Sequence, residues 1–291
     1  MTRRPALLSC SFPRMPAMSQ RALTVLALAL LPGIAAAAPV LRKQVNQRGD
    51  FVLFGNTIGH DCRYAPAPTV GTVGACGNNS NDSGVDVFWA SDSPASGQAE
   101  ANTAVTPASA GSTAVLALPA GATVTYARLY WAAKRTGSAD TSATLLRPGQ
   151  TGLDLTADGS ATLTSGTYMA YQSTAEVTSY VVQHGIGAYR VSGVESYDFR
   201  NRTDETSFIG WSMVVFYSLA SDPPRNLALF DGLDLVSNTS GDVSVTLSGF
   251  LVPNAGFDAK LGVIAYEGDQ AAPGDQLYFN GGAALTNAKN P

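Results

Sequence analysis

Charge, histidine and cysteine are all scarce in this sequence. Only 14% of its 291 residues are charged, there are 2 His and 3 Cys, and acidic residues outnumber basic ones by 22 to 18. The acidic balance excludes a general nucleic-acid binder, which needs a basic patch or stripe. Three cysteines are too few for a disulfide-framework miniprotein. Two histidines leave only His60 and His184 as bases for a Ser-His-Asp arrangement. Scarce charge with a mean hydropathy of +0.05 excludes intrinsic disorder, which goes with low hydrophobicity and high net charge. No fixed-period repeat is visible, so internal similarity does not point to a solenoid or propeller. The length is enough to bury a substantial core, as one large domain or two small ones.

No apolar run approaches the roughly 20 residues that span a bilayer. The short one near the N-terminus has another meaning. Arg21 precedes the apolar stretch Ala22–Leu31, then come Pro32-Gly33 and a run of alanines. That is the order of a secretory signal peptide, with cleavage after Ala37 satisfying the small-x-small rule through Ala35 and Ala37. Residues 1–37 are therefore read as a signal peptide, with Met18 as an alternative true start. They hold Arg3, Arg4, Arg14 and Arg21 and no acidic residue. The remainder, 38–291, keeps 14 basic against 22 acidic residues, a net charge of −8. It also keeps two cysteines, Cys62 and Cys76. In an exported chain these are expected to form one disulfide. A metal site built on His60, Cys62 and Cys76 fits worse, because zinc wants a fuller ligand set and tight Cys-x-x-Cys spacing is absent.

The exported part reads as short apolar strands separated by Gly, Pro, Asn, Asp and Ser clusters. Expected strands are Phe51–Phe54, Val85–Ala90, Ala114–Leu118, Thr123–Ala132, Ala161–Thr164 and Tyr168–Tyr171. Then come Ala188–Val194, Trp211–Tyr217, Leu227–Phe230, Val243–Leu251, Lys260–Tyr266 and Gln276–Phe279. Trp211–Tyr217 is nearly all apolar, so burial on both faces is expected. Pro119-Ala120-Gly121-Ala122 reads as a short hairpin connection, Asn280-Gly281 as a tight turn. Ser91–Ser112 is small and polar and reads as a long surface loop or irregular edge. One helix is expected: Ser173 at the N-cap and Glu176 three residues on form a capping box. Val177, Tyr180 and Val181 then make an apolar stripe, and Gly185 ends it. More than ten short strands and one short helix point to an all-β fold, a β-sandwich or jelly-roll.

Each candidate site has a plainer competing reading. Gly210-Trp211-Ser212 opens like a nucleophile elbow, but Val214 replaces the closing Gly and the run reads as a continuous strand. His184 sits at the expected helix end, where a cationic side chain suits the dipole. Asn78–Asp86 is rich in oxygen ligands. Its twelfth loop position would be Ala90, so it is not an EF-hand, and calcium held by Asn79, Asn81, Asp82 and Asp86 competes with a polar turn. No other cofactor is implied. Paired carboxylates among Asp231, Asp234, Asp258, Asp269 and Asp275 stay open without a diagnostic spacing. Arg48-Gly49-Asp50 matches an integrin-read tripeptide but equally makes a turn into the next strand. Trp89, Tyr130 and Trp131 form a candidate stacking platform for a glycan, against the role such residues have in sandwich cores.

Three segments look familiar together: Gly49–Thr57, Tyr126–Ala132 and Gly210–Tyr217, the last followed by Pro224-Arg225-Asn226 and Phe230-Asp231-Gly232. They resemble the N-terminal region of large exported bacterial proteins that carry repeated Ig-like, adhesin-type modules further on. The resemblance covers most of 38–291 and brings no catalytic residues. It implies a non-enzymatic, extracytoplasmic β-rich module of a secreted or cell-surface protein, structural or adhesive, with a surface glycan or a protein as partner. A carbohydrate-binding or carbohydrate-active protein is the alternative. Such proteins continue into further modules, so a C-terminally truncated member with an unpaired edge strand at Gln276–Phe279 is expected.

Overall fold

All nine strands expected between Phe51 and Phe230 form, and they build an all-β, sandwich-like fold. The computed structural model describes residues 39–61, 85–93, 98–101, 110–165, 168–197, 208–236, 243–249, 259–266, 276–279 and 282–285. These all belong to one compact unit, Ala36–Pro291. The larger sheet has six antiparallel strands in the order β13-β1-β12-β6-β10-β9. They are β13 (Pro224–Asp231), β1 (Val40–Thr57), β12 (Ile209–Ser218), β6 (Thr123–Arg135), β10 (Tyr168–Glu176) and β9 (Gly159–Ser165). The second sheet has the order β5-β11-β7-β8. Its strands are β5 (Gly111–Leu116), β11 (Gly187–Ser192), β7 (Ser142–Leu146) and β8 (Leu153–Thr156). A small sheet joins β2 (Gly59–Asp61), β3 (Val85–Ser93) and β4 (Gln98–Ala101).

The core follows from the two-residue period of the strands. Leu129, Trp131 and Ala133 of β6 point between the sheets with Trp211, Met213 and Val215 of β12. Leu145, Tyr189 and Val191 of the second sheet face them. Phe54 meets Trp211 edge to face, with ring centroids 5.9 Å apart. Polar tips are satisfied inside. The Trp211 indole donates to Ser112 Oγ at 2.9 Å, and the Trp131 indole donates to the Asp140 carbonyl at 3.2 Å. The expected two-sided burial of Trp211–Tyr217 is observed, since every residue in that run is buried.

The second buried face is unusual, because part of the same sheet covers it. The first half of β1 pairs with β13 and the second half, from Gly49 on, with β12. Gly49 has φ +145, and a Cβ there would overlap the Tyr217 carbonyl oxygen. At this glycine β1 bends, so that its first half and β13 form a ribbon crossing the outer face of the sheet. Val45, Leu227 and Leu229 of the ribbon pack on Tyr126, Tyr130 and Phe216 below. The ribbon reaches β10, one strand short of the far edge: Gln172 donates to the Gly232 carbonyl at 3.0 Å.

Several expectations are corrected. The helix α1 is Thr178–His184 and starts four residues late, with Val177 at the N-cap position and no side-chain cap there. Ser173 and Glu176 belong instead to β10, whose pairing with β6 and β9 outweighs the local capping signal. The apolar stripe of Val177, Tyr180 and Val181 is buried as expected, and Gly185 ends the helix at φ +66. The turn at Pro119–Ala122 joins strands in different sheets, so it is a crossover and not a hairpin. Ser91–Ser112 is not one loop, because β3, β4 and β5 all take part of it. The described parts of Val243–Leu251 and Lys260–Tyr266 form no strand. Ile264 instead packs on the ribbon side of the large sheet, and Lys260 reaches Asp50 at 3.2 Å. Finally, Leu277–Tyr278 pairs with Ala284–Leu285, so the strand expected to lack a partner has one.

Candidate functional site

The alternation that puts Trp131 in the core puts Arg128 and Tyr130 on the opposite face, under the ribbon. Arg128 is a charged residue in the middle of an apolar strand, and its side chain is only 3% exposed. A buried guanidinium requires charge partners, because desolvation penalises the ion. Two carboxylates supply them. Asp158, in the connection between β8 and β9, accepts from Arg128 Nη2. Asp231, at the end of the ribbon, has an oxygen 3.9 Å from Arg128 Nε. Asp231 also accepts from Arg42 Nε at 2.7 Å and from the Tyr130 hydroxyl at 3.4 Å. The result is a charge-balanced chain, Arg42–Asp231–Arg128–Asp158, linking the ribbon to β6 and to the edge of the sheet.

The electrostatics fit this pairing. The hydrogen bond to Asp231 raises the Arg42 pKa. Burial pulls the Arg128 guanidinium down, but Tyr126 and Asp158 outweigh it and its pKa also rises. Burial first, and the Asp231 charge second, push the Tyr130 phenol far up. Both arginines therefore stay charged and Tyr130 stays neutral through the physiological range. The groups are poised to hold charge and not to exchange protons. Arg128 Nε and Ser212 Oγ are buried with no hydrogen-bond partner among the described residues.

A second polar centre lies at one end of the sandwich. Asp140 is 5% exposed. Its carboxylate accepts from the Ser142 amide and hydroxyl and from the Glu195 amide at 2.8–3.0 Å. Its carbonyl takes the Trp131 indole and the Ser173 hydroxyl. Through its carboxylate and its carbonyl together, Asp140 ties the Glu195 segment to strands of both sheets.

The residues singled out in the sequence separate into three groups. Trp131 and Tyr130 are 0% and 1% exposed and point to opposite faces of β6, so they offer no stacking surface; this corrects the glycan-platform expectation. Ser212 lies within β12, a continuous strand paired on both sides, so no nucleophile elbow exists. His184 closes α1 with its ring 4.3 Å from that of Tyr180. Gly49 is buried in mid-strand, Arg48 donates to the Asp222 carbonyl and Asp50 binds Lys260, so Arg48-Gly49-Asp50 is no displayed loop. Asp231 joins the ion chain, while Asp234 Oδ1 is buried with no partner among the described residues. Asp86 pairs with His60 through the β2–β3 ladder. The side chains of Trp89 and Asp86 lie outside the described residues, as do Cys62, Cys76, Asn79, Asn81, Asp82, Asp258, Asp269 and Asp275. No group of three or more metal-ligating side chains occurs among the described residues.

Sequence reasoning missed Arg42, Arg128, Asp140 and Asp158. Only Arg128 carries a signal, as a charge that interrupts the alternation of an apolar strand. No protein-family model, curated protein or solved structure matches this chain.

Proposed function

We propose that this chain is a non-enzymatic, exported β-sandwich module of a bacterial cell-surface or secreted protein, with a structural or adhesive role. One observation carries the reading. The charged cluster most suggestive of chemistry, Arg42–Asp231–Arg128–Asp158, is spent on fastening the ribbon to the sheet it covers. Its ions are matched two against two, and the raised pKa values of Arg42, Arg128 and Tyr130 hold those three groups in one protonation state at physiological pH. The carbohydrate-binding alternative loses two of its three aromatic residues to burial. No helix of the described residues is long and apolar enough to cross a membrane. The signal-peptide pattern supports export.

The test is N-terminal sequencing of the chain recovered from the medium or envelope of an expressing bacterium. A start at Ala38 supports the reading. Retention in the cytoplasm with residues 1–37 intact overturns it. Display of the exported chain on beads, with capture of cells or matrix, then separates adhesive from purely structural roles.

A further inference from the structure

We propose that the free edge of β9 joins two copies of this chain, linking their large sheets into one. The strand pairs with β10 along all seven residues, Gly159–Ser165, and no strand pairs with its other edge among the described residues. An open edge is a template for another strand, and proteins usually blunt it with charge, proline, a bulge or brevity. The other edges show such devices. On the large sheet, β13 opens with Pro224 and carries Arg225 and Asp231. On the second sheet, β8 is four residues long and holds Asp154. Its far edge, β5, packs against β3 and β1. By contrast β9 reads Gly-Ser-Ala-Thr-Leu-Thr-Ser, without charge, proline or irregular register.

The same sequence selects its occupant. Full overlap of two antiparallel copies of Gly159–Ser165 places a two-fold axis at Thr162, the self-complementary geometry of a C2 interface. Ser160 then meets Thr164, Ala161 meets Leu163, and Thr162 meets its own copy. No like charges oppose one another, which is the condition self-pairing must satisfy. Ser160, Thr162 and Thr164 are exposed; the Ser160 hydroxyl already lies 2.8 Å from that of Ser173, so the Thr162 and Thr164 hydroxyls are the ones offered across the axis. Ala161 and Leu163 are half-buried on the ribbon-side face, and pairing extends that apolar layer from one copy into the next.

Light scattering and sedimentation of the purified full chain test this. A dimer is expected. Thr162→Lys places two ammonium groups directly opposite each other and is expected to weaken association by at least ~10-fold. Thr164→Lys, facing Ser160, is expected to weaken it less. Directly opposed residues stand about 4.5–5.5 Å apart between Cα atoms, within disulfide range. Thr162→Cys is therefore expected to give a covalent dimer on mild oxidation. Thr164→Cys is not, because its two copies lie about 13 Å apart along the strands. Each variant must keep the parent's thermal unfolding profile; if Thr162→Lys does not, the cysteine pair decides alone. A monomeric parent chain, or cross-linking of Thr164→Cys in preference to Thr162→Cys, overturns the proposal.

Discussion

The Asp231 carboxylate stands 3.9 Å from the Arg128 guanidinium, and the two side chains are only 8% and 3% exposed. Two charges this buried hold each other in place, and removing one strands the other. Breaking a buried pair costs about 3–5 kcal/mol, because an uncompensated ion remains. Asp231→Ala is expected to cost at least about 3 kcal/mol. Asp158→Ala, at a carboxylate 47% exposed, is expected to cost about 1 kcal/mol or less. Urea unfolding of both variants measures the difference. Equal losses would mean that the ribbon is not held by Asp231.

Gly49 is where β1 changes partners, and its backbone sets the bend. Gly49→Ala introduces a Cβ into the Tyr217 carbonyl at a φ of +145 that L residues rarely adopt. Gly121→Ala is the control: φ is +80, but the nearest outside atom is 3.7 Å away. The control is expected to cost about 1–2 kcal/mol of backbone strain. Gly49→Ala is expected to cost clearly more and to lower the unfolding temperature further. A smaller loss at Gly49 than at Gly121 would refute the bend as a steric requirement.

Most of the architecture is legible in the sequence because strand periodicity is local. Leu129, Trp131 and Ala133 announce one buried face by spacing alone. The ribbon is not legible, since it depends on Gly49 meeting Tyr217 across 168 positions of chain. The helix start fails for a related reason. Ser173 has a capping sequence, yet its hydroxyl donates to the Asp140 carbonyl at 2.6 Å and its backbone joins the β10 ladder. The candidate site is legible only at Arg128, whose charge breaks an apolar strand. Its partners Asp158 and Asp231 look like ordinary turn residues until the ribbon folds over them.

Trp131 is a core anchor, and this is separable from a binding role. Trp131→Ala removes a fully buried indole and its hydrogen bond to the Asp140 carbonyl. Large-to-small changes of this kind cost about 3–5 kcal/mol. The variant is expected to show a strongly lowered urea midpoint. Trp131→Phe keeps most of the volume and is expected to lose less. A Trp131→Ala chain with unchanged stability would place the indole at the surface and revive the stacking platform.

Alkaline titration should unfold this protein more sharply than its few charges suggest. Burial pushes the Tyr189 phenol up to about 12, from an unfolded value near 10. Burial also raises Tyr130, Tyr171 and Tyr266 above their ordinary value. A raised phenol pKa means that the folded state keeps its proton longer than the unfolded chain. Above pH ~10 the unfolded chain therefore binds fewer protons, and stability falls as pH rises. The contribution is complete below pH ~10 and, for Tyr189, is lost as pH climbs through about 12. Tyrosinate absorbance and tryptophan fluorescence, followed together, are expected to change in one cooperative step inside that window. Replacing Tyr189 with Phe removes one of the groups that drive the transition, and also its hydrogen bond to the Gly185 carbonyl at 2.6 Å. Its expected signature is a shallower fall of stability with pH, whatever the change at neutral pH. Free tyrosine-like titration, completed before any loss of structure, would show that these phenols are open to solvent.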